Sequence, residues 1–348
     1  MKIIDISRGT SVLFYKTPEF NLFNFCPGLL QPTSAKGNPN ITRRMGSFFS
    51  TLGRVWFAIV LLIPMVAVAG IIKLLSCCLS KKSLNGTSVV LVSCAWQISL
   101  ALTPWMWITS ANNFNEKLQT LNKQVVARAN GVKDVRPVFI LGNHTSFLDT
   151  LLTITRFPSS IAYQSRTYMS SYLFNMPILS TICTGCGHFP VHFKGSGDTD
   201  FSVDKVKIAA TQKLVDQHIE ANGVLCFFPE GAMNGNPSEV RPIRYGGMKK
   251  ALDYDAIMWT FTTNGNQIMW PRKAQMGGVP GFGRYSLKQV APLGCRELVQ
   301  RLKEQGDDET KQKLDHVLLS EFVRSEMQAE WVGLLDGCSQ GSEGKKSK

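Results

Sequence analysis

The sequence predicts an α/β fold: a central mixed, largely parallel sheet flanked by helices and preceded by an N-terminal membrane-embedded helix pair. Three observations predict it. Two long uncharged stretches, Val55–Ile72 and Ser88–Thr109, stand near the N-terminus. From about residue 130, short apolar runs alternate with helical patterns, as in sheets whose strands are joined by helices. Two of those runs end in ionisable residues that a core would reject, GNHTSFLD after Leu141 and PEGAMNG after Phe228. The expected organisation is a basic segment over 1–54, the helix pair over 55–110, the α/β domain with its C-terminal helix over 111–337, and a disordered tail over 338–348.

Val55–Ile72 is eighteen residues without a charge, close to the ~20 that cross a hydrocarbon core of about 30 Å. Pro64 in its middle predicts a kink. In Ser88–Thr109 only Gln97 is strongly polar, and Trp105 and Trp107 at its end suit a headgroup layer. Basic residues sit before the first stretch (Arg43, Arg44, Arg54), between the two (Lys73, Lys81, Lys82) and after the second (Lys117, Lys123, Arg128). A spanning hairpin places the middle group on the far side, against the positive-inside tendency. A kinked pair dipping into one leaflet keeps all three groups at one anionic surface. Either way, the N-terminus and the downstream domain share a side.

The formal net charge is +13 over 348 residues. From Arg296 onward nine Lys/Arg face eleven Asp/Glu, a net of −2, which leaves +15 for the preceding residues. Such a front section suits an anionic surface, and the apolar stretches favour a phospholipid membrane over nucleic acid. The basic residues are scattered and no nucleic-acid-binding motif is present, so no nucleic-acid partner is expected. The nine cysteines lack a secreted disulfide spacing, and MKIIDISRGT lacks an unbroken apolar run. Reduced thiols, no cleaved signal and a cytosolic face are expected. Cys183–Cys186 (CTGC) with His188 and His192 offers half a zinc set; without a second CxxC pair, no metal is expected.

Strands are expected at Pro137–Leu141, Ser160–Gln164, Gly187–Phe193, Gly223–Phe228 and Ala256–Thr262. A helix from about Val203 to Ala221 stops at Asn222–Gly223. Asp307–Gly337 reads as an amphipathic packing helix, with Leu314, Leu318, Phe322, Met327, Trp331 and Leu335 on one side.

His144 and Asp149 are five residues apart, about 140° around a helix, so within one helix they cannot meet. They can meet if His144 lies in the turn after the strand and Asp149 in the first helical turn. Ser146 then becomes the N-cap, and Ser-Phe-Leu-Asp has the spacing of a capping box. One reading makes Asp149 a cap and His144 a loop residue. The other makes His144 a general base whose tautomer Asp149 fixes, with the acceptor's own hydroxyl as nucleophile, because no G-x-S-x-G elbow is present. Backbone N–H groups near Ser146 would then serve the oxyanion. Glu230, ahead of Gly231 at a strand end, suits either a ligand-facing loop or an ordinary turn.

Together NHTSFLD and FFPEG, about eighty residues apart behind an apolar pair, resemble the signatures of the membrane glycerolipid acyltransferases. These include lysophosphatidic acid, glycerol-3-phosphate and lysophospholipid acyltransferases. The resemblance covers roughly residues 90–295 and extends to CGHFPVHFK (Cys186–Lys194) and to RYGGMKKALDYDAIMWTF (Arg244–Phe261). It implies acyl transfer from acyl-CoA as co-substrate, without cofactor or metal, to a hydroxyl of a glycerolipid acceptor. His144 is then the base, Asp149 its orienting partner, and Glu230 with Gly231 part of the acceptor-binding loop. The chain departs from the pattern at Ala232 and Met233, where Thr and Arg are usual, at Phe193–Lys194, where an arginine is frequent, and at Ala256, where proline is usual. Lys194, Arg241 and Arg244 are candidates to replace the missing charge toward a phosphate. The resemblance implies a membrane location: the endoplasmic reticulum with the domain facing the cytosol, or a bacterial inner membrane. The altered loop also fits a different class, an acyltransferase-like lipid-binding or scaffold protein without catalysis.

Overall fold

The computed structural model describes residues 39–343, apart from 112 and 195–201. The chain divides after Gly46; the first unit is described only from Pro39, as the start of a helix, and the second runs from Ser47. In chain order α1 (Pro39–Leu75) and α2 (Lys81–Ala101) precede β1 (Met106–Ser110) and α3 (Phe114–Ala129). Next come β2 (Val138–Gly142), α4 (Phe147–Thr155), α5 (Ser159–Gln164), β3 (Ser165–Ser170), α6 (Pro177–Gly185) and β4 (Phe189–Val191). They are followed by β5 (Phe193–Lys194), β6 (Ser202–Val203), α7 (Lys205–Glu220), β7 (Val224–Phe227) and α8 (Tyr245–Asp253). The last elements are β8 (Ile257–Asn264), α9 (Asn266–Met269), β9 (Gly281–Ala291), α10 (Cys295–Gln305), α11 (Asp308–Gln312) and α12 (Asp315–Glu343).

Seven strands form one sheet in the order β1-β9-β8-β2-β7-β3-β4, and β5 and β6 form a separate antiparallel pair. Within the sheet only β8 and β9 pair antiparallel; every other neighbouring pair is parallel. The central strands are apolar runs because helices cover both faces. Alternate side chains of β2 go to opposite layers. Val138 and Ile140 join Leu148, Leu152, Trp259 and the N-terminal helices. Phe139 and Leu141 join α7, α8 and α12 through Val215, Met248 and Val323.

Four expectations change. Ser160–Gln164 is α5 rather than a strand: Pro158 at its N-cap starts a turn that buries Ile161 and Ala162, and the strand begins only at Ser165. The second apolar stretch is not one helix. Pro104 cannot continue α2, the Thr103 hydroxyl closes its last turn on the Ser99 carbonyl, and the β-prone residues that follow join the sheet as β1 beside β9. β9 was not expected at all. The C-terminal helix is broken into α11 and α12, and α12 continues through Glu343, so the tail expected to be disordered from residue 338 is helical to that point.

Phe49–Leu75 and Lys81–Ala101 are long and apolar enough to cross a membrane. Pro64 sits inside α1 without ending it. Proline has no N–H for the carbonyl one turn back, Val60, and there the Ser99 hydroxyl of α2 donates instead, at 2.6 Å. One face of α1, with Phe57, Val60, Leu61, Met65, Val68 and Ile72, is buried against the domain. The opposite face is exposed yet equally apolar: Val55, Ile59, Leu62, Ile63, Val66 and Leu74.

Candidate active site

β2 lies at the centre of the sheet between β7 and β8, and its C-terminal end carries Gly142-Asn143-His144-Thr145-Ser146 into α4. Ligand sites of α/β sheets collect at this edge. Gly142 permits close passage: a Cβ there would stand 2.9 Å from the Phe228 ring. Asn143 pins the loop to the end of β8, its amide donating to the Thr263 carbonyl at 2.9 Å while its oxygen accepts from the Thr263 N–H at 2.7 Å.

Asp149 sits in the first turn of α4, as the spacing predicted, and forms the capping box with Ser146. It does more than cap. The carboxylate is fully buried. Oδ2 accepts from the N–H groups of Thr145 and Ser146 at 2.6 and 2.7 Å. Oδ1 accepts from the Thr263 hydroxyl at 2.8 Å and the Asn266 amide at 2.6 Å. His144 Nδ1 lies 3.5 Å from Oδ2 and has no hydrogen-bond partner of its own. One carboxylate therefore both caps the helix and faces the imidazole. With Nδ1 turned to Asp149, Nε2 is the nitrogen left for a substrate. The ring stacks on Phe228 with centroids 4.2 Å apart, and the side chain is 16% exposed.

The loop after β7 holds His144 from the other side. The His144 N–H donates to Glu230 Oε1 at 2.7 Å, and the Arg241 N–H donates to Oε2 at 3.1 Å. The Asn234 N–H donates to the His144 carbonyl at 2.5 Å. Glu230 is 3% exposed, and burial pushes its carboxyl up to about 7, against the lowering effect of its two backbone donors. It bonds to two backbone segments, where the sequence had left open a ligand-facing loop or an ordinary turn. Gly231 adopts φ +75°, and a Cβ there would stand 2.5 Å from Arg244 Nε. Arg244 is exposed beside this loop and Arg241 half-buried, so the structure brings both to the His144 region. Lys194 lies in β5, and its side chain lies outside the described residues.

Three of the donors expected for an oxyanion near Ser146 are already engaged. The Ser146 and Thr145 N–H groups serve Asp149, and the Leu148 N–H serves the Ser146 hydroxyl oxygen at 3.1 Å. Sequence reading also missed Asn143, Thr263 and Asn266 as partners of the dyad loop, and Phe228 as its stacking platform. The available signal was the polar run Thr262–Gln267 at the end of β8, a third strand end as unlike a core as the other two. The CTGC cysteines are buried, and burial pushes their thiols up to about 11 (Cys183) and about 12 (Cys186). Among the described residues no cluster of three or more His, Cys, Asp or Glu is placed to hold a metal ion.

Residues 118–264 match the family model Acyltransferase. The chain is similar in fold to the 1-acyl-sn-glycerophosphate (LPA) acyltransferase PlsC from Thermotoga maritima, with a TM-score of 0.54 and 12% sequence identity over 82% of this chain and 98% of that one. Comparison with curated proteins finds no match.

Proposed function

We propose, from the match of residues 118–264 to the acyltransferase family model, that the chain moves a fatty acyl group from acyl-CoA to a hydroxyl of a glycerolipid acceptor, in phospholipid synthesis or remodelling. The observation that carries this reading is His144 held between two loops, with Nδ1 facing a buried carboxylate and Nε2 left over. In the reaction the acceptor oxygen attacks the thioester carbonyl while Nε2 takes its proton. Collapse of the tetrahedral intermediate breaks the C–S bond, and the departing thiolate takes the proton back from the imidazolium. Asp149 stabilises that imidazolium, and a separation of 3.5 Å suits a group whose hydrogen bond tightens when substrate binds.

Arg241 and Arg244 border the Glu230 loop and would meet an acceptor phosphate; the acceptor is lysophosphatidic acid, glycerol-3-phosphate or a lysophospholipid. The apolar outer face of α1 supports attachment to a phospholipid membrane, since its exposed Val, Ile and Leu side chains are costly to leave in water. Gly53 packs on Gly278 and Ile72 on Gly185, so both ends of a stretch about 28 Å long rest on the domain. That favours a helix lying in one leaflet, with the domain on the cytosolic side of the endoplasmic reticulum or a bacterial inner membrane.

The purified protein, given labelled acyl-CoA with each of the three acceptors, is expected to form the acylated product with one class and to lose that activity in His144→Ala. Failure with all three, by protein that still binds lipid, would leave the lipid-binding scaffold as the reading.

A further inference from the structure

A cavity opens beside the dyad loop, with Gly142 and Phe228 in its wall. Most of its lining is apolar, including Val92, Trp96, Ile140 and Phe157. One part is not: Ser165, Arg166, Thr167 and His188 also line it. Arg166 pairs in register with Leu225, three residues before Phe228, so its backbone lies about 10 Å back along the strands from Phe228, at about 3.3 Å per residue.

Arg166 is 5% exposed, and a buried charge ordinarily has a counter-charge. Its Nη1 donates to the carbonyls of Tyr163 and Ser165 at 3.0 and 2.6 Å, and among the described residues no carboxylate is its partner. The titratable groups that face it are Cys186, Tyr163, Cys226, His188 and His218. Burial pushes the Cys186 and Cys226 thiols up to about 12 and about 11, and pulls His188 and His218 down to about 3 and about 4, so these four are neutral near pH 7. Desolvation lowers the guanidinium itself only to about 10, so it stays charged. His188 Nδ1 accepts from the Thr167 N–H at 3.3 Å, which puts the proton of the neutral ring on Nε2 and adds a second donor. The cavity thus combines an apolar wall with a cationic end at which no anion of the described residues sits.

We propose that this cavity binds an aliphatic carboxylate, with its chain along the apolar wall and its carboxylate on Arg166 and the Nε2–H of His188. The carboxylate has two sources: a free fatty acid, or the ω-carboxyl of an acyl donor whose thioester lies at His144. Only the second rests on the acyl-transfer reading.

Calorimetry on the full chain in detergent, with decanoate and methyl decanoate as probes, tests the site without turnover. Decanoate is expected to bind about 10–100-fold more tightly than the ester, and Arg166→Met to bring the two within about 2-fold. Should that variant not fold, thermal unfolding of the unaltered protein decides: decanoate raises its Tm and the ester at equal concentration does not. Equal binding of acid and ester, or a preference that survives Arg166→Met, overturns the proposal. Transfer assays then separate the sources. Preferred turnover of ω-carboxydecanoyl-CoA over decanoyl-CoA identifies the donor; decanoate inhibition competitive with acyl-CoA, without that preference, identifies the free acid. If no donor is turned over, the acyl-transfer reading fails while the calorimetry still decides the site.

Discussion

The loop after β2 and the loop after β7 leave the sheet at the same edge, yet one is held and the other does the holding. In the first, Asn143, Ser146 and Asp149 tie the loop to the end of β8, to Trp270 and to α4, so the backbone on either side of His144 is fixed. In the second, the only buried charge is Glu230, and it is bonded to the backbone of both loops. The arginines of the second loop's border lie toward solvent. Under the proposed function the difference would separate two roles: fixed chemistry in one loop, bracing and headgroup charge in the other. It also accounts for how Ala232 and Met233 can depart from the family pattern beside an intact dyad, since neither joins the hydrogen bonds that fix His144.

The comparison breaks most sharply at the dyad. His144→Ala is expected to remove transfer and leave membrane attachment as it is. Asp149→Asn is expected to cut turnover by about 10²–10⁴-fold in the labelled acyl-CoA assay. It also lowers Tm, because the new amide –NH₂ must face either the Thr145 and Ser146 N–H groups or the Thr263 and Asn266 donors, and an unmatched buried donor costs about 1–3 kcal/mol. A loss of Tm with nearly normal turnover would reduce Asp149 to a helix cap and leave the first loop without its chemistry.

That loop was legible in the sequence because its logic is local. Ser146 and Asp149 have the spacing of a capping box, and a capping box fixes which way the carboxylate points, back toward residue 144. Glu230 was harder to place. FFPEG shows that a carboxylate follows a strand, but only the fold shows two backbone N–H groups, one of them 86 residues away, converging on it. Thr263 and Asn266 were missed for the same reason, being more than a hundred residues from Asp149. Of the strands, Pro137–Leu141, Gly223–Phe228 and Ala256–Thr262 were placed to within a residue or two because burial on both faces makes them continuous apolar runs. β9 has no such run: Gly281-Phe-Gly-Arg alternates with polar residues and becomes a strand by pairing with β8. PWMWIT was read with the helix before it because hydropathy alone does not distinguish an apolar strand from an apolar helix.

A middle-sized effect is expected at the border of the second loop. If the acceptor carries phosphate, Arg244→Met should raise its apparent KM about 10–100-fold, and Arg241→Met by less because that side chain is half-buried. Steady-state kinetics with the acceptor and acyl-CoA varied in turn separate headgroup binding from binding of the CoA phosphates. Unchanged acceptor KM in both variants would assign these arginines no headgroup and make the acceptor uncharged or zwitterionic at this position.

The smallest effect tests the bracing itself. Glu230→Gln keeps the size and one acceptor oxygen, but its –NH₂ faces one of the two N–H groups that Glu230 now satisfies. As a brace, Glu230 predicts a kcat lower by up to about 10-fold with acceptor KM unchanged; as an acceptor ligand it would predict the reverse. pH supplies a readout that a direct contact would not share. Burial raises the Glu230 carboxyl from 4.5 to about 7, so between those values the folded protein holds a proton that the unfolded chain has released. Its contribution to stability is therefore full below about pH 4.5 and declines as pH rises through about 7. Gln cannot titrate. The Tm of the parent relative to Glu230→Gln should accordingly fall between pH 4.5 and 7.5 and level off above it. A flat difference across that range would mean that the carboxylate is charged throughout, and the bracing would then rest on an ionised group whose desolvation the two backbone donors fully offset.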